Sequence, residues 1–352
     1  MSLEDVESFR LRVSEDLRTD LKSVLRSHGE REPSVTLTLN ERANRLADQT
    51  ADAAADLRIV VSRSSAGARL IDCGVQTEGG VEAGLSLAQA CMADLARISV
   101  GPGDIGGVFC PYVHVVTDSP VLACMASQYA GWQISVGKFF AMGSGPMRAA
   151  YGKEELFDKI PGREQPPLAV GVLETRKPPT DEVISFLSEK LHLSPDRLTL
   201  IFAPASSQAG TMQVVARSLE TALHKLYELK FDLNQVISGM GSAPLPPVAQ
   251  AEMQAIGWTN DAILYGGRVT LWVRCDDDQI RDIGPRVPSN ASPDYGEPFA
   301  GIFKRHNHDF YKIDPLLFSP AEIVFRNLKT GRTQAFGKIS PEILQRSFFL
   351  GP

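Results

Sequence analysis

The run from Ile201 to Leu229, IFAPASSQAGTMQVVARSLETALHKLYEL, sets an apolar strand, a turn of small residues and an amphipathic helix in direct succession. Such a unit buries its apolar surfaces in a layered arrangement of sheet against helix. The pattern returns elsewhere. ARLIDCG is an extended apolar run, the glycines Gly79, Gly80 and Gly84 follow it, and helical spacing then continues through Leu85, Ala88, Cys91, Met92 and Leu95. VGVLET at 170–175 and LTLIFAP at 198–204 are further short strands flanking a helix at Asp181–Leu191. This alternation predicts an α/β fold rather than a helical bundle or a β-sandwich.

Local signals fill in the rest. The first 33 residues form a charged, helical extension ending near Glu32 and Pro33. Thr38 or Asn40 caps an alanine-rich helix that has Glu41 close to its start. RIVVSRS and ARLIDCG are two strands joined by SSAG, and KTGR joins two strands near the C-terminus. Gly266–Gly267, lying between apolar runs, predicts another tight hairpin turn. With 352 residues the chain is long enough for two α/β subdomains, placed at 34–165 and 166–352.

Composition excludes several function classes. A net charge of -6 leaves no basic footprint for nucleic acid. No run of 18 or more apolar residues marks a membrane span, and the N-terminus lacks the apolar stretch of a secretory signal. Five cysteines occur without a C-x-x-C pair, as expected of buried free thiols in a reducing cytoplasm. The six histidines show neither H-x-x-x-H nor H-E-x-x-H spacing, so no metal site is expected. No glycine-rich segment matches a nucleotide-binding loop, and no serine sits in G-x-S-x-G.

Arg217 and Glu220 are the leading chemical candidates. Three residues apart on a helix, they point the same way, either as a surface ion pair or as a cation and carboxylate facing a cleft. Burial raises a carboxylate pKa and a neighbouring guanidinium lowers it, so the balance sets how Glu220 serves as an acid or base. His224, one turn further on, is placed to join them. In FFAMGSGPMRA a strand runs into a helix with Pro146 in its first turn. There Gly143, Ser144 and Gly145 either hold a carbonyl or heterocycle edge or cap the helix, and Arg148 meets an acidic substrate tail or solvates the surface. Asp118 and Ser119 precede Pro120 as helix caps, with Asp118 also a ligand candidate. Glu78, Glu82, Asp261 and Asp314 are further acids able to steer a substrate, and Phe140 or Trp132 can clasp a planar ring, though Trp132 suits core packing.

Five blocks carry a family resemblance: ARLIDCGVQTEGGVEAGLSLAQACMADLA, FCPYVHVVTDSPVLACMASQYAGWQISVGKFFAMGSGPMRA, the Ile201–Leu229 run, GWTNDAILYGG, and DFYKIDPLLFSPAEIVFRNLKTGRTQAFGKI. From Ser34 onward the chain resembles methenyltetrahydromethanopterin cyclohydrolases. The resemblance implies a cytoplasmic enzyme of pterin-linked one-carbon metabolism with two α/β subdomains and a substrate cleft between them. It implies a homo-oligomer, trimer or dimer, whose substrate is a tetrahydromethanopterin derivative and which uses no metal or redox cofactor. The family's catalytic R-x-x-E falls on Arg217 and Glu220. Gly79, Gly80, Glu82, Asn260 and Asp261, within matching blocks, join Asp118, Phe140, Ser144 with its glycines, and Arg148 as substrate-binding candidates. Two departures stand out: the N-terminal extension, and Ala93–Asp94 where relatives carry a glycine pair. The alternatives are a pterin-binding scaffold or carrier of the same family without activity, and an amidine or amide hydrolase acting on a folate.

Overall fold

Fourteen strands and the helices between them are described by a computed structural model covering residues 37–307 and 312–349. The N-terminal extension lies outside the described residues. Contacts group Thr38 onward into one unit.

The first sheet holds β1 (Val60–Arg63), β2 (Arg69–Asp72), β7 (Trp132–Val136), β8 (Phe139–Ser144), β9 (Ala169–Glu174) and β10 (Leu198–Ala203), in the order β1-β2-β10-β9-β8-β7. β2, β10 and β9 run parallel, with antiparallel pairs at either side. The parallel strands β9 and β10 are buried almost throughout, as expected when helices cover both faces. On one face Leu173, Leu198, Leu200 and Phe202 pack with Val183, Ile184 and Leu187 of the Asp181–Leu191 helix. On the other, Val170, Val172 and Ile201 pack with the Leu39–Asp52 and Val81–Cys91 helices.

The second sheet runs β14-β13-β12-β11-β6-β3, from β3 (Arg97–Gly101), β6 (Tyr112–Thr117), β11 (Val236–Pro244), β12 (Arg268–Val273), β13 (Glu322–Asn327) and β14 (Thr333–Gly337). A separate ribbon pairs β4 (Asp104–Ile105) with β5 (Val108–Phe109). The fold is therefore mixed α/β, and each sheet takes strands from both sides of residue 165, where sequence suggested a boundary. The Ser218–Glu228 helix lies so close to β11 that a Cβ added at Gly239 would stand 2.8 Å from Leu219 Cδ1.

Three local expectations need correction. The helix after Ile201 is two helices, Gln208–Val215 and Ser218–Glu228, with Ala216 and Arg217 at the break. Arg217 has ψ near 1°, which turns the chain so that the second helix follows the second sheet. Gly266–Gly267 is no hairpin. Gly266 ends a 15-residue helix from Glu252, and Gly267 has φ -66, so β12 follows a helix terminus rather than a returning strand. The segment after Asp118 is not capped by its side chain or by that of Ser119; Pro120 opens a π-helix at Val121–Gln128, and Asp118 Oδ1 instead accepts from Ser238 Oγ at 2.7 Å. Thr38, rather than Asn40, caps the first described helix, exchanging hydrogen bonds with Glu41 in a capping box.

Candidate active site

The π-helix determines what surrounds Arg217. Wider than an α-helix, it closes with Tyr129 N donating to Cys124 O at 2.7 Å and leaves late carbonyls for other partners. Ser127 O accepts from Gly145 N at 2.9 Å, and Met125 O from Arg148 Nη1 at 2.9 Å. Gln128 O accepts from Arg217 Nη1 at 2.6 Å. Cationic donors at the electronegative end of a helix are favourably placed.

The other side of the Arg217 guanidinium meets the first sheet. Nη2 donates to Ser144 Oγ at 3.1 Å and lies 3.9 Å from Cys91 Sγ. Ser144 in turn donates to Val172 O at 3.3 Å, and Gln213 Nε2 donates to Cys91 Sγ at 3.6 Å. Arg217 thus joins the helix over the second sheet to β8 of the first. Its Nη1 stands 3.8 Å from Glu220 Oε2, and both side chains are under 10% exposed (9% and 6%). The surface ion pair reading is excluded by that burial. Burial pushes the Glu220 pKa up from the ordinary carboxylate range, while Arg217, then His224 and Arg148, pull it back. Beside them, Tyr129 is raised to about 12, first by burial and then by the Glu220 charge.

Of the sequence candidates, Ser144, Arg217 and Glu220 are brought together, with Gly143 and Gly145 adjoining. Gly145 has φ +85, a region that favours glycine, and its amide is taken by Ser127 O rather than free for a ligand. Gly143 pairs with Trp132 and Leu173. Arg148 requires correction on both readings. It is fully buried, forks onto Glu154 through Nε and Nη2, and stacks over the Tyr129 ring at 4.9 Å, so its donors face protein. Phe140 is 53% exposed on the outer part of β8.

The remaining candidates have other partners. Gly79, at φ +62, turns the chain and donates to Arg58 O, and Gly80 precedes the Val81–Cys91 helix, with Glu82 in its first turn. Glu78 is exposed and pairs with Arg58. Asn260 Nδ2 donates to Ile256 O within its own helix. Asp261 is buried and accepts from Phe299 N at 2.8 Å and Ser347 Oγ at 2.6 Å, fastening three helices. Asp314 accepts from Ser292 Oγ and Leu316 N. Trp132 stacks on Tyr151 at 4.3 Å in the core.

Cys91, Gln128, Gln213 and Glu174 surround the pair without having been singled out by sequence. Glu174 ends β9 on the same face as Val172; burial raises its pKa, and Arg217 opposes that shift. Gln128 is fully buried, its Nε2 donating to Ala216 O at 3.2 Å, and its Oε1 accepts from no donor among the described residues. No local spacing marks these residues, because each reaches Arg217 across the fold. Among the described residues no group of three or more His, Cys, Asp or Glu is arranged to hold a metal ion, and no helix is long and apolar enough to cross a membrane.

Comparison with known proteins gives the same grouping over nearly all of this structure. The family model described as Cyclohydrolase (MCH) matches residues 38–348. A methenyltetrahydromethanopterin cyclohydrolase of Rhodopirellula baltica is 47% identical over 290 residues, covering 81% of this chain and 87% of its own length. Proteins of the same description from Methylobacillus flagellatus and Methanosarcina barkeri are 42% and 41% identical, covering 88% and 89% of this chain and 95% and 98% of theirs. By matched length and identity together, the chain belongs to the methenyltetrahydromethanopterin cyclohydrolase family.

Proposed function

We infer that this protein reversibly hydrolyses 5,10-methenyltetrahydromethanopterin to the 5-formyl derivative, with Glu220 as the proton-transferring group. The supporting observation is a buried carboxylate beside a guanidinium that is itself held by Gln128 O, Ser144 and Cys91. No donor among the described residues reaches hydrogen-bond distance of the Glu220 carboxylate, so its oxygens are available to water. The substrate reads best in a cleft between the two sheet-centred parts of the fold, with exposed Phe140 at its rim.

The amidinium carbon is already electrophilic and needs a positioned water. As the water oxygen bonds to carbon, one water proton passes to Glu220 and an electron pair moves onto nitrogen. Glu220 returns that proton to nitrogen 10 as its bond to carbon breaks. The hydroxyl proton of the adduct then passes to Glu220 as the formyl carbonyl forms. Glu220 and Glu174 favour the cation electrostatically, and Arg217 keeps Glu220 ionised between turnovers.

The test follows loss of the methenyl chromophore with tetrahydromethanopterin and tetrahydrofolate substrates in parallel. Glu220→Gln is expected to lower turnover by about a hundred- to ten-thousandfold, the range of a positioned acid–base group. Full turnover in that variant, or a preference for the folate, refutes the assignment. The inactive-scaffold alternative predicts no chromophore loss with the parent protein.

A further inference from the structure

Hydrolysis of a cation by water to a neutral formyl product leaves one proton over, and by the steps above it ends on Glu220. That carboxylate is nearly buried, so its proton requires an exit before the next water can be activated. Glu220, His224 and Glu228 lie at successive i, i+4 positions on one helix face. Their side chains are 6%, 21% and 38% exposed, a graded line from interior to surface. His224 Nε2 stands 3.8 Å from Glu228 Oε1, and its ring stacks on Tyr129 at 4.8 Å. Beside it is a cavity of about 180 Å³ lined by Met125, Tyr129, Glu154, His224 and Tyr227. That volume admits more than one water, and imidazole exchanges protons readily near neutrality.

We propose that His224 relays the surplus proton of hydrolysis from Glu220, through the cavity beside Tyr129, to Glu228 and solvent. In the hydrolytic direction the Glu220 carboxylic acid loses its proton to the imidazole directly or through one water. That transfer restores the Glu220 carboxylate, and the imidazolium then releases a proton from Nε2 toward Glu228, which restores the neutral imidazole; formyl-group cyclisation uses the same line in reverse. Carboxylates nearest the ring suit the transient cation, against Arg148 over the Tyr129 ring and Lys159 and Lys230 over the Tyr227 ring. Glu220 and Glu228 flank it on its own helix, Glu154 lines the cavity with its charge shared by Arg148, and Tyr129 and Tyr227 provide ring walls. His224 is therefore a positioning residue for proton exit and leaves the bond-making step to Glu220, on whose assignment as base the relay rests.

The test compares single and multiple turnover in buffer-poor and buffered solution for His224→Gln and His224→Ala. Multiple turnover in buffer-poor solution is expected to fall about tenfold, below the range of a group acting in the transition state itself. The first turnover should remain at the parent rate, and free imidazole should restore the Ala variant. Parental multiple turnover without buffer, or a loss that neither buffer nor imidazole restores, overturns the relay. Should the His224 variants not fold, Glu228→Gln carries the test: a buffer-reversible loss supports the relay, and parental turnover in buffer-poor solution overturns it. Glu220→Gln, measured alongside, separates the two readings, since its retention of first-turnover chemistry overturns the base assignment, whereas its inactivity with unaffected His224 and Glu228 variants overturns only the relay.

Discussion

At single residues, two kinds of strain and pairing decide behaviour. Ala93 and Asp94 both adopt left-handed backbone, φ +55 and +52, where the end of the Val81–Cys91 helix turns toward β3. Side chains with a Cβ cost roughly 1–2 kcal/mol there relative to glycine. Ala93→Gly and Asp94→Gly are each expected to stabilise the protein by about 1 kcal/mol or less, after the extra unfolded-state freedom of glycine is subtracted. Chemical denaturation checks this, and a lowered midpoint contradicts it. Arg217 offers a second residue-scale prediction. It lowers the Glu220 pKa against the raising effect of burial. With Glu220 as the proposed base, hydrolysis uses its ionised form, so activity rises with pH through that pKa. Arg217→Gln should therefore displace the acid limb of the kcat/KM profile to higher pH as well as slow turnover. A limb that stays or moves lower shows that Arg217 does not tune Glu220.

At the scale of elements, buried polar groups fasten helices to one another. Asp261 holds the Glu252–Gly266, Phe299–Arg305 and Pro341–Phe348 helices together, and burial raises it to about 7, opposed by its bonds to Ser347 and Phe299. The folded protein thus keeps a proton that the unfolded chain releases above about pH 4. Stability from this group is complete below the unfolded value and is lost as pH rises through about 7. Asp261→Asn can retain both hydrogen bonds without ionising. Its melting temperature relative to the parent should rise between pH 5 and pH 8, by an amount worth at most a few kcal/mol. A constant difference across that range counts against ionisation of Asp261. The π-helix is the other decisive element, because its late carbonyls meet Arg148, Arg217 and the Gly145 amide together. Nothing in VLACMASQ distinguishes that extra backbone atom spacing from an ordinary apolar helix.

At the scale of the whole molecule, short-range signals proved dependable where they governed a short-range outcome. The Asp181–Leu191 helix follows from apolar spacing on one face, and the KTGR hairpin from its turn, with Gly331 at φ +73. Gly266–Gly267 misled because a glycine pair suits a helix end as well as a hairpin, and the helix from Glu252 decides between them only by packing on its neighbours. The sheets could not be assigned from strand order. β6 pairs with β3 close by in sequence but also with β11, more than a hundred residues later, so that partner is fixed by which faces can be buried together.

By itself, the sequence determined the α/β alternation, most local elements and the R-x-x-E pair, since periodicity, caps and turns act over a few residues. Tertiary structure decided that the pair is buried and what holds it. Arg217 meets Ser144, Gln128 and Cys91 across separations of 73, 89 and 126 residues. Burial of a charge and the partners that stabilise it depend on such distant contacts, and local spacing carries no information about them.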